Sequence, residues 1–213
     1  MITYMTNTFF IIEDHSLMLH GIISWITENS HWKCIGSAQN EVDSLEKLNE
    51  LCKSETTTPS VIITDINLGT ENNDYLGIEL IKKLKAENTN IKCICYSMYK
   101  SPGIIKLAMD AGASGYITKS ASERELVECM NQVQNGEIYI ERNLHLAIET
   151  YKEAVSSLTQ KEMEIVNLML NHKTNDEISD IMNIKKRTVE SYTSRIYDKI
   201  GCSNRSELIE ILS

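Results

Sequence analysis

The sequence has no apolar run long enough to cross a membrane. Its first apolar stretch, residues 9–12, is too short for a secretory signal and leads directly into Glu13 and Asp14. We therefore expect a cytoplasmic protein without a membrane segment. The six cysteines are scattered, with no CxxC pair and no His/Cys cluster at metal-ligand spacing. We expect them to be buried, reduced thiols rather than disulfides or zinc ligands.

Short apolar runs that lead into polar side chains are the most informative pattern that is present. Four such runs begin at residues 9, 61, 94 and 115, and helical patterns separate them, which predicts parallel strands of an α/β sheet. The polar groups that end these runs are, in chain order, Glu13 and Asp14, Asp65, Ser97 and Lys119. Because functional groups collect beyond the carboxyl ends of parallel strands, we expect these side chains to converge on one pocket.

Three carboxylates in one pocket predict a cation. At a separation of ~4–5 Å each like-charge pair costs roughly 3–4 kcal/mol at an effective dielectric near 20. Mg²⁺ suits such oxygen ligands and leaves positions open for phosphate oxygens. Asp65 stands alone after its run and is the natural nucleophile for an aspartyl-phosphate, while Lys119 and Ser97 can hold phosphoryl oxygens. Any one of these acids alone would indicate only a solvated loop, so the combination carries the prediction.

Residues 7–136 resemble a response-regulator receiver domain, through the residues above and the run Ala-Met-Asp-Ala-Gly-Ala-Ser-Gly-Tyr at 108–116. The resemblance implies a flavodoxin-like, five-stranded parallel sheet with helices on both faces. It also implies that a sensor histidine kinase phosphorylates Asp65. The implied Mg²⁺ ligands are Glu13, Asp14, Asp65 and the backbone carbonyl of Asn67, and the implied phosphate-binding and switch residues are Ser97, Tyr116 and Lys119.

The sequence departs from the receiver pattern beside the phosphoacceptor. Gly69 stands where the family usually has proline, and Gly77 lies four positions beyond the usual glycine. The intervening loop, residues 68–75, is therefore long and acidic. Met98 follows Ser97 where the family prefers a small residue. These departures bear on the rate and stability of phosphorylation more than on its location.

The sequence pattern changes after residue 136. We interpret residues 137–155 as a linker with a short helix over 143–153, and residues 156–213 as four helices. Thr159 with Glu162, and Thr174 with Glu177, form capping-box signatures that open the first two helices. A third helix begins near Lys186 and stops at Gly201, and a fourth begins near Asn204. The predicted inward-facing residues are Ile165, Leu168, Met169, Ile178, Ile181, Met182, Val189, Tyr192, Ile196, Ile200, Leu208, Ile211 and Leu212.

Two short helices with a tight connection predict a helix-turn-helix. Residues 156–213 resemble the NarL/LuxR-type DNA-binding domain, through Leu-Thr-x-x-Glu at 158–162, Thr-Val-Glu-Ser-Tyr at 188–192 and Asn-Arg-Ser-Glu-Leu at 204–208. The resemblance implies that the third helix lies in the major groove of double-stranded DNA. The candidate DNA-binding residues are Lys185, Lys186, Arg187, Glu190, Ser191, Ser194, Arg195 and Lys199.

Glu190 is unusual at its position, which is usually Lys in this family. A carboxylate there can accept a hydrogen bond from a cytosine amine. It can equally form a pair within the helix, with Ser194 or Arg187. The sequence leaves both interpretations open.

The helix-turn-helix region lacks the basic balance that is usual for DNA binding. Residues 156–213 hold eight Lys/Arg and nine Asp/Glu, and residues 1–155 hold thirteen and twenty-one. Only residues 185–199 are locally basic, with five basic residues and two acidic ones. We therefore expect weak non-specific binding and a strong dependence on dimerisation.

The sequence supports one function above two alternatives. We expect a response regulator, not an enzyme, in which phosphorylation of Asp65 controls homodimerisation and sequence-specific DNA binding. One alternative is a regulator that no longer responds to phosphate and acts by constitutive DNA binding or protein contact. The other is a Mg²⁺-dependent phosphohydrolase, which would leave the helical region without a role.

Overall fold

The computed structural model describes residues 7–53, 58–68, 75–87 and 90–212. The chain divides between residues 142 and 143 into two compact units, and residues 101–104 group with the second. Strands and helices alternate up to residue 142. The elements there are β1 (Thr8–Ile12), α1 (Ser16–Asn29), β2 (Lys33–Ala38), α2 (Glu41–Lys53), β3 (Val61–Thr64), α3 (Leu76–Glu87), β4 (Cys93–Ser97), α4 (Pro102–Asp110), β5 (Gly115–Thr118), α5 (Glu123–Gln134) and β6 (Tyr139–Ile140).

The strands form one parallel sheet in the order β2-β1-β3-β4-β5-β6. This confirms the predicted α/β class, but the predicted count of five strands is wrong because the sheet has six within the described residues. The additional strand, β6, pairs only Tyr139 with Gly115 and Ile140 with Tyr116. Two residues are too few to show an alternating pattern, so this strand has no recognisable signal in the sequence.

Helices cover both faces of the sheet. On one face α1 and α5 share a core with the strands, and this core includes Leu19, Ile26, Leu126 and Met130. On the other face α2 and α3 pack against the strands. Every residue of β3, β4 and β5 is buried, which accounts for their continuous apolar sequences.

The described cysteines are free thiols, as expected. Cys93, Cys95 and Cys129 are buried, whereas Cys34 and Cys202 are only half-buried. Burial raises the pKa of the Cys93 thiol to about 12. This thiol therefore stays protonated and unreactive near neutral pH.

The rest of the chain is helical. A short 3-10 turn (Arg142–Leu144) precedes α6 (His145–Ser156), α7 (Gln160–Leu170), α8 (Asn175–Ile181), α9 (Lys186–Ile200) and α10 (Arg205–Leu212). The hydrophobic core of this unit is formed by Tyr151, Ile165, Val166, Met169, Ile178, Val189, Ile196, Leu208 and Leu212. Ile181 was predicted to face inward, and this is wrong: it lies at the last position of α8 and is 56% exposed.

No described helix is both long and apolar enough to cross a membrane.

The predicted linker, residues 137–155, contains β6 and most of α6. Tyr151 of α6 is buried in the core of the helical unit. The predicted domain limits stay a prediction. Gly201 does end α9, at a φ of 78°, a left-handed conformation that glycine adopts without steric cost.

Candidate functional site

The carboxyl ends of the strands gather the predicted acidic pocket. Lys119 Nζ lies 2.6 Å from Glu13 Oε2 and 2.7 Å from Asp65 Oδ2. The Lys119 side chain is only 4% exposed, and those of Glu13 and Asp65 are 1% and 7% exposed. One ammonium thus joins the ends of β1, β3 and β5, which brings three of the predicted residues together.

Electrostatics keep Lys119 charged in this buried position. Burial lowers its pKa, but the hydrogen bonds and charges of Asp65 and Glu13 outweigh burial and raise the pKa above its usual value. The ammonium therefore offsets two buried carboxylates at neutral pH. An unpaired carboxylate in this position would be strongly destabilising.

Glu13, Asp14 and His15 form a second part of the pocket. Each offers a ligand atom, and these atoms lie within 4.8 Å of one another. His15 Nδ1 lies 2.7 Å from Asp14 Oδ1 and 3.2 Å from Glu13 Oε1. The charge of Asp14, more than that of Glu13, raises the pKa of the exposed His15 imidazole. His15 is therefore an additional group at the pocket, and it was not among the predicted site residues.

The acidic pair presents buried carboxylate oxygens to the pocket. Glu13 Oε2 and Asp14 Oδ1 are both buried. Glu13 Oε2 lies 2.6 Å from the Lys119 ammonium, and Asp14 Oδ1 lies 2.7 Å from the His15 imidazole. Buried oxygens of this kind are suitable ligands for a hard cation such as Mg²⁺. The residues present therefore fit a magnesium site.

Tyr99 connects the phosphoacceptor loop to both predicted switch residues. Its hydroxyl accepts a hydrogen bond from the Asn67 side-chain amide at 3.0 Å. Its backbone N–H donates to Ser97 Oγ at 3.3 Å, and its carbonyl accepts from the Tyr116 hydroxyl at 3.0 Å. Ser97 and Tyr116 are both buried. Tyr99 was not among the predicted site residues, since nothing in its local sequence indicates these contacts.

Gly77 lies against the backbone of the phosphoacceptor. A Cβ atom at this position would lie 1.9 Å from the Asp65 carbonyl oxygen. The Gly77 N–H donates to the Ile66 carbonyl at 2.8 Å. The displaced glycine noted in the sequence is thus required by close approach to Asp65. Residues 69–74 of the preceding loop, including Gly69, lie outside the described residues.

Glu141 anchors the chain segment that follows β6. Its carboxylate is buried and accepts a hydrogen bond from the Thr118 N–H at 2.6 Å. Its own N–H donates to the Tyr116 carbonyl at 3.0 Å. Glu141 therefore fixes the backbone of β5 immediately before Lys119. This role was also missed, because the two residues lie 23 positions apart in sequence.

Capping boxes define the helix-turn-helix, as the sequence predicted. The Thr159 hydroxyl accepts from the Glu162 N–H, and the Glu162 carboxylate accepts from the Thr159 N–H. Thr174 and Glu177 form the same reciprocal pair at the start of α8. Both predicted signatures are confirmed.

Lys199 holds α9 against the start of α7. Its Nζ lies 2.6 Å from Glu162 Oε2, and the Glu162 side chain is 3% exposed. The hydrogen bond from Lys199, followed by that from the Thr159 N–H, lowers the pKa of the Glu162 carboxyl to about 2. The Lys199 ammonium was predicted to contact DNA, but in this structure it is engaged within the helical unit.

We expect Glu162→Gln to loosen α7 and α9 without affecting the rest of the chain. Losing hydrogen bonds to a charged group costs about 1.5–3 kcal/mol, so amide hydrogen exchange in these helices should quicken by roughly tenfold to hundredfold. Because the folded pKa is depressed from 4.5 to about 2, this stability is present above pH 4.5 and is lost as the pH falls through about 2.

Glu164→Gln is the matched control, since Glu164 is an exposed acid on the same helix. It should leave hydrogen exchange unchanged at every pH. Equal exchange in the wild type and Glu162→Gln at pH 7 would rule out the stabilising role of the Glu162–Lys199 pair.

The outer face of α9 is polar and exposed. It is formed by Arg187, Glu190, Ser191, Ser194, Arg195 and Asp198. Lys185 and Lys186 are exposed at its start, and Lys186 Nζ lies 2.9 Å from Asp176. The Arg195 guanidinium donates to Ser191 Oγ at 3.2 Å and lies 5.1 Å from the centre of the Tyr192 ring. All eight predicted DNA-binding residues thus belong to α9 or its first flanking residue.

Two protein families match the two parts of this chain. Residues 9–131 match the family described as "Response regulator receiver domain", and residues 156–212 match "Bacterial regulatory proteins, luxR family". The transcriptional regulatory protein DesR of Bacillus subtilis is 30% identical over 204 residues, which cover 94% of this chain and 93% of DesR. This chain belongs to the response regulators.

Further comparisons agree with this family. The response regulator protein VraR of Staphylococcus saprophyticus is 26% identical over 202 residues, which cover 93% of this chain and 92% of VraR. A structure of RcsB from Salmonella enterica serovar Typhimurium, bound to promoter P1flhDC in the presence of the phosphomimetic BeF3-, has a TM-score of 0.72. It is 21% identical and covers 97% of both chains, which supports the fold.

The family decides between the functions that the sequence left open. A receiver domain joined to a LuxR-type DNA-binding domain makes this response regulator a two-component transcriptional regulator, not an enzyme. The predicted fold, family and general function are confirmed. No comparison favours a regulator that is independent of phosphate.

Proposed function

We propose that Asp65 accepts a phosphoryl group from a sensor histidine kinase and that this modification controls DNA binding by α9. The observation that supports this most directly is the Lys119 ammonium between Glu13 and Asp65, at 2.6 and 2.7 Å. This arrangement combines a nucleophilic carboxylate, an acidic ligand and a cation for a phosphoryl oxygen in one pocket.

Receiver domains generally bind Mg²⁺ at an acidic pocket. In this chain Glu13, Asp14, Asp65 and the Asn67 carbonyl would hold the ion, and the buried carboxylate oxygens of Glu13 and Asp14 support this assignment. When bound, the ion would offset the negative charge of the phosphoryl group and the carboxylates.

The residues around Asp65 prepare its carboxylate for phosphoryl transfer. Asp65 Oδ1 accepts from the Asn67 N–H at 3.3 Å, and Oδ2 is held by Lys119. A carboxylate oxygen attacks phosphorus as the P–N bond of the donor phosphohistidine breaks, and the released imidazole retains the bonding electron pair. Lys119 then holds a phosphoryl oxygen, and the aspartyl-phosphate remains on the protein.

Ser97, Tyr99 and Tyr116 form the proposed switch. The Ser97 hydroxyl accepts from the Tyr99 N–H and interacts with the Tyr116 hydroxyl, and in the phosphorylated protein it donates its proton to a phosphoryl oxygen instead. If Ser97 moves towards the phosphoryl group, Tyr99 loses that acceptor. The Tyr99 carbonyl also accepts a hydrogen bond from the Tyr116 hydroxyl, so a displacement of Tyr99 changes the position of the Tyr116 hydroxyl. The buried Tyr116 phenol has its pKa raised by burial and stays a donor.

DNA binding is assigned to α9 and its start. We propose that two phosphorylated protomers form a homodimer and place their α9 helices in two half-sites about one helical turn apart. The exposed basic residues Lys185 and Arg187 are suited to phosphate contacts. With roughly 3–4 phosphate contacts per protomer, the slope of log affinity against log salt is about −5 to −7 per dimer. The helical unit matches bacterial regulatory proteins, and DNA in a bacterial cell lies in the cytoplasm, so we propose that this regulator acts there.

We expect Asp14→Asn to weaken Mg²⁺ binding by roughly tenfold or more, because a charged oxygen ligand becomes neutral while the side chain keeps its size. Isothermal titration calorimetry measures this change. Asp110→Asn is the control, since Asp110 is exposed and pairs with Lys106 on its own helix, away from the acidic pocket. Equal Mg²⁺ affinity in wild type and Asp14→Asn would exclude Asp14 as a ligand.

The test of the proposed phosphoacceptor is to locate the phosphoryl group. Full-length protein is incubated with acetyl phosphate and Mg²⁺, and the modified residue is mapped by mass spectrometry. We expect an acyl-phosphate on Asp65. A phosphoryl group on His15 or Asp14 instead, or none at all, would contradict the proposal.

A further inference from the structure

Glu190 is an exposed acid of α9 that forms no hydrogen bond and no contact ion pair within the described ranges. The sequence suggested Ser194 or Arg187 as a partner within the helix, but neither is bonded to Glu190 in residues 186–200. Nearby acids of the helical unit behave differently: Glu162 contacts Lys199, and Asp176 contacts Lys186. The carboxylate of Glu190 is therefore free to meet a ligand.

The surroundings of Glu190 offset its charge only in part. Lys186 lies one turn before it, and the charge of Glu190 contributes to the raised pKa of Lys186, but Asp176 contributes more and holds the Lys186 ammonium at 2.9 Å. Arg195 is held by Ser191 Oγ and lies over the Tyr192 ring. Glu190 and Ser191 both lie in the first half of α9. In helix-turn-helix proteins the N-terminal residues of the recognition helix contact the base edges.

A carboxylate in the major groove has few favourable partners. Phosphates line both sides of the groove and repel it. Among the base edges, guanine N7 and O6 and thymine O4 are acceptors and also repel it, whereas cytosine N4 and adenine N6 donate. Adenine places an acceptor, N7, beside its amine. Cytosine presents only the donor, so it is the base that a carboxylate fits best.

We propose that Glu190 accepts a hydrogen bond from the N4 amine of a cytosine in each half-site and thereby specifies that base. This inference rests on the proposed function, in which α9 enters the major groove. The same carboxylate weakens binding to every sequence that lacks the cytosine, because its charge is then repelled without compensation. Glu190 therefore lowers the affinity for unrelated DNA and increases the ratio of operator affinity to non-specific affinity.

The test is DNA selection from a random pool with the full-length chain, in Mg²⁺ and beryllofluoride at one fixed salt concentration. Wild type is compared with Glu190→Gln, Glu190→Lys and Asp198→Asn. Asp198 is the matched control: an exposed acid of the same helix, eight residues and about 12 Å further along. Because Glu190 forms no bond within the described protein, its substitution should not disturb folding.

We expect wild type and Asp198→Asn to select cytosine at one position of each half-site, with a preference of roughly fivefold to tenfold over other bases. Glu190→Gln should shift that preference to adenine, and Glu190→Lys to guanine. Both variants should also bind unrelated DNA more tightly than wild type.

Two other outcomes separate this inference from the function on which it rests. If wild type and Glu190→Gln select one common operator with the same base at every position, DNA binding stands and the role of Glu190 is wrong. If even the wild type selects no sequence, the proposed DNA-binding function fails and the inference fails with it.

Discussion

Gly77→Ala should remove the phosphoacceptor site by displacing the backbone of Asp65. The added Cβ would lie 1.9 Å from the Asp65 carbonyl oxygen and 2.9 Å from the Ile66 Cα, so the backbone itself must move. Overpacking in a well-packed core typically costs 1–3 kcal/mol, and we expect about 3 kcal/mol or more where the clash is with backbone. The phosphorylation rate with acetyl phosphate should fall by roughly tenfold or more, as Asp65 leaves its place beside Lys119.

Gly21→Ala is the matched control for this substitution. Gly21 is also a helical glycine of the first unit, but its Cβ would meet nothing within 4 Å. This variant should be stabilised by about 0.5–1 kcal/mol, because alanine is the better helix former. Urea unfolding followed by tryptophan fluorescence measures both variants, since Trp25 and Trp32 lie in the first unit. A Gly77→Ala protein as stable and as readily phosphorylated as wild type would contradict the close approach to Asp65.

Lys119→Gln should destabilise the first unit by about 3–5 kcal/mol at neutral pH, the usual cost of breaking a buried ion pair. The neutral amide cannot offset the Glu13 and Asp65 carboxylates, which are 1% and 7% exposed. Mg²⁺ should restore part of this loss, because the cation brings positive charge to the same carboxylates. Urea unfolding with and without Mg²⁺ measures both effects.

The matched control for Lys119→Gln is the same substitution in an exposed ion pair. Lys106 Nζ contacts Asp110 at 2.5 Å, but its side chain is 53% exposed. Lys106→Gln should therefore change stability by no more than about 0.5 kcal/mol. If Lys119→Gln changes stability as little as Lys106→Gln does, Lys119 is not the cation that balances the pocket.

The sequence predicted the strands that carry the site better than the rest of the sheet. Strands β3, β4 and β5 are buried along their whole length, so each is a continuous apolar run that ends visibly at a polar residue. The edge strand β2 is mostly half-buried, and β6 has two residues, so neither shows a clear pattern. Ile181 was misplaced because α8 ends there, where a helical period no longer decides which face is covered.

Residues that act through distant contacts could not be predicted. Tyr99 accepts a hydrogen bond from Asn67, which is 32 positions away in sequence. Glu141 accepts one from Thr118, which is 23 positions away. These pairs depend on which strands become neighbours, and a single sequence does not give strand order. By contrast, the capping boxes at Thr159 and Thr174 were predicted correctly because their partners lie three residues apart.

In the proposed function, modification of Asp65 controls DNA binding, so a phosphate mimic should change the affinity for an operator only while Asp65 is present. The affinity of full-length wild type and Asp65→Asn for a selected operator is measured by fluorescence anisotropy in Mg²⁺, with and without beryllofluoride. We predict that beryllofluoride strengthens binding by wild type by roughly tenfold and leaves Asp65→Asn unchanged. An Asp65→Asn protein that responds to beryllofluoride as the wild type does would contradict the account.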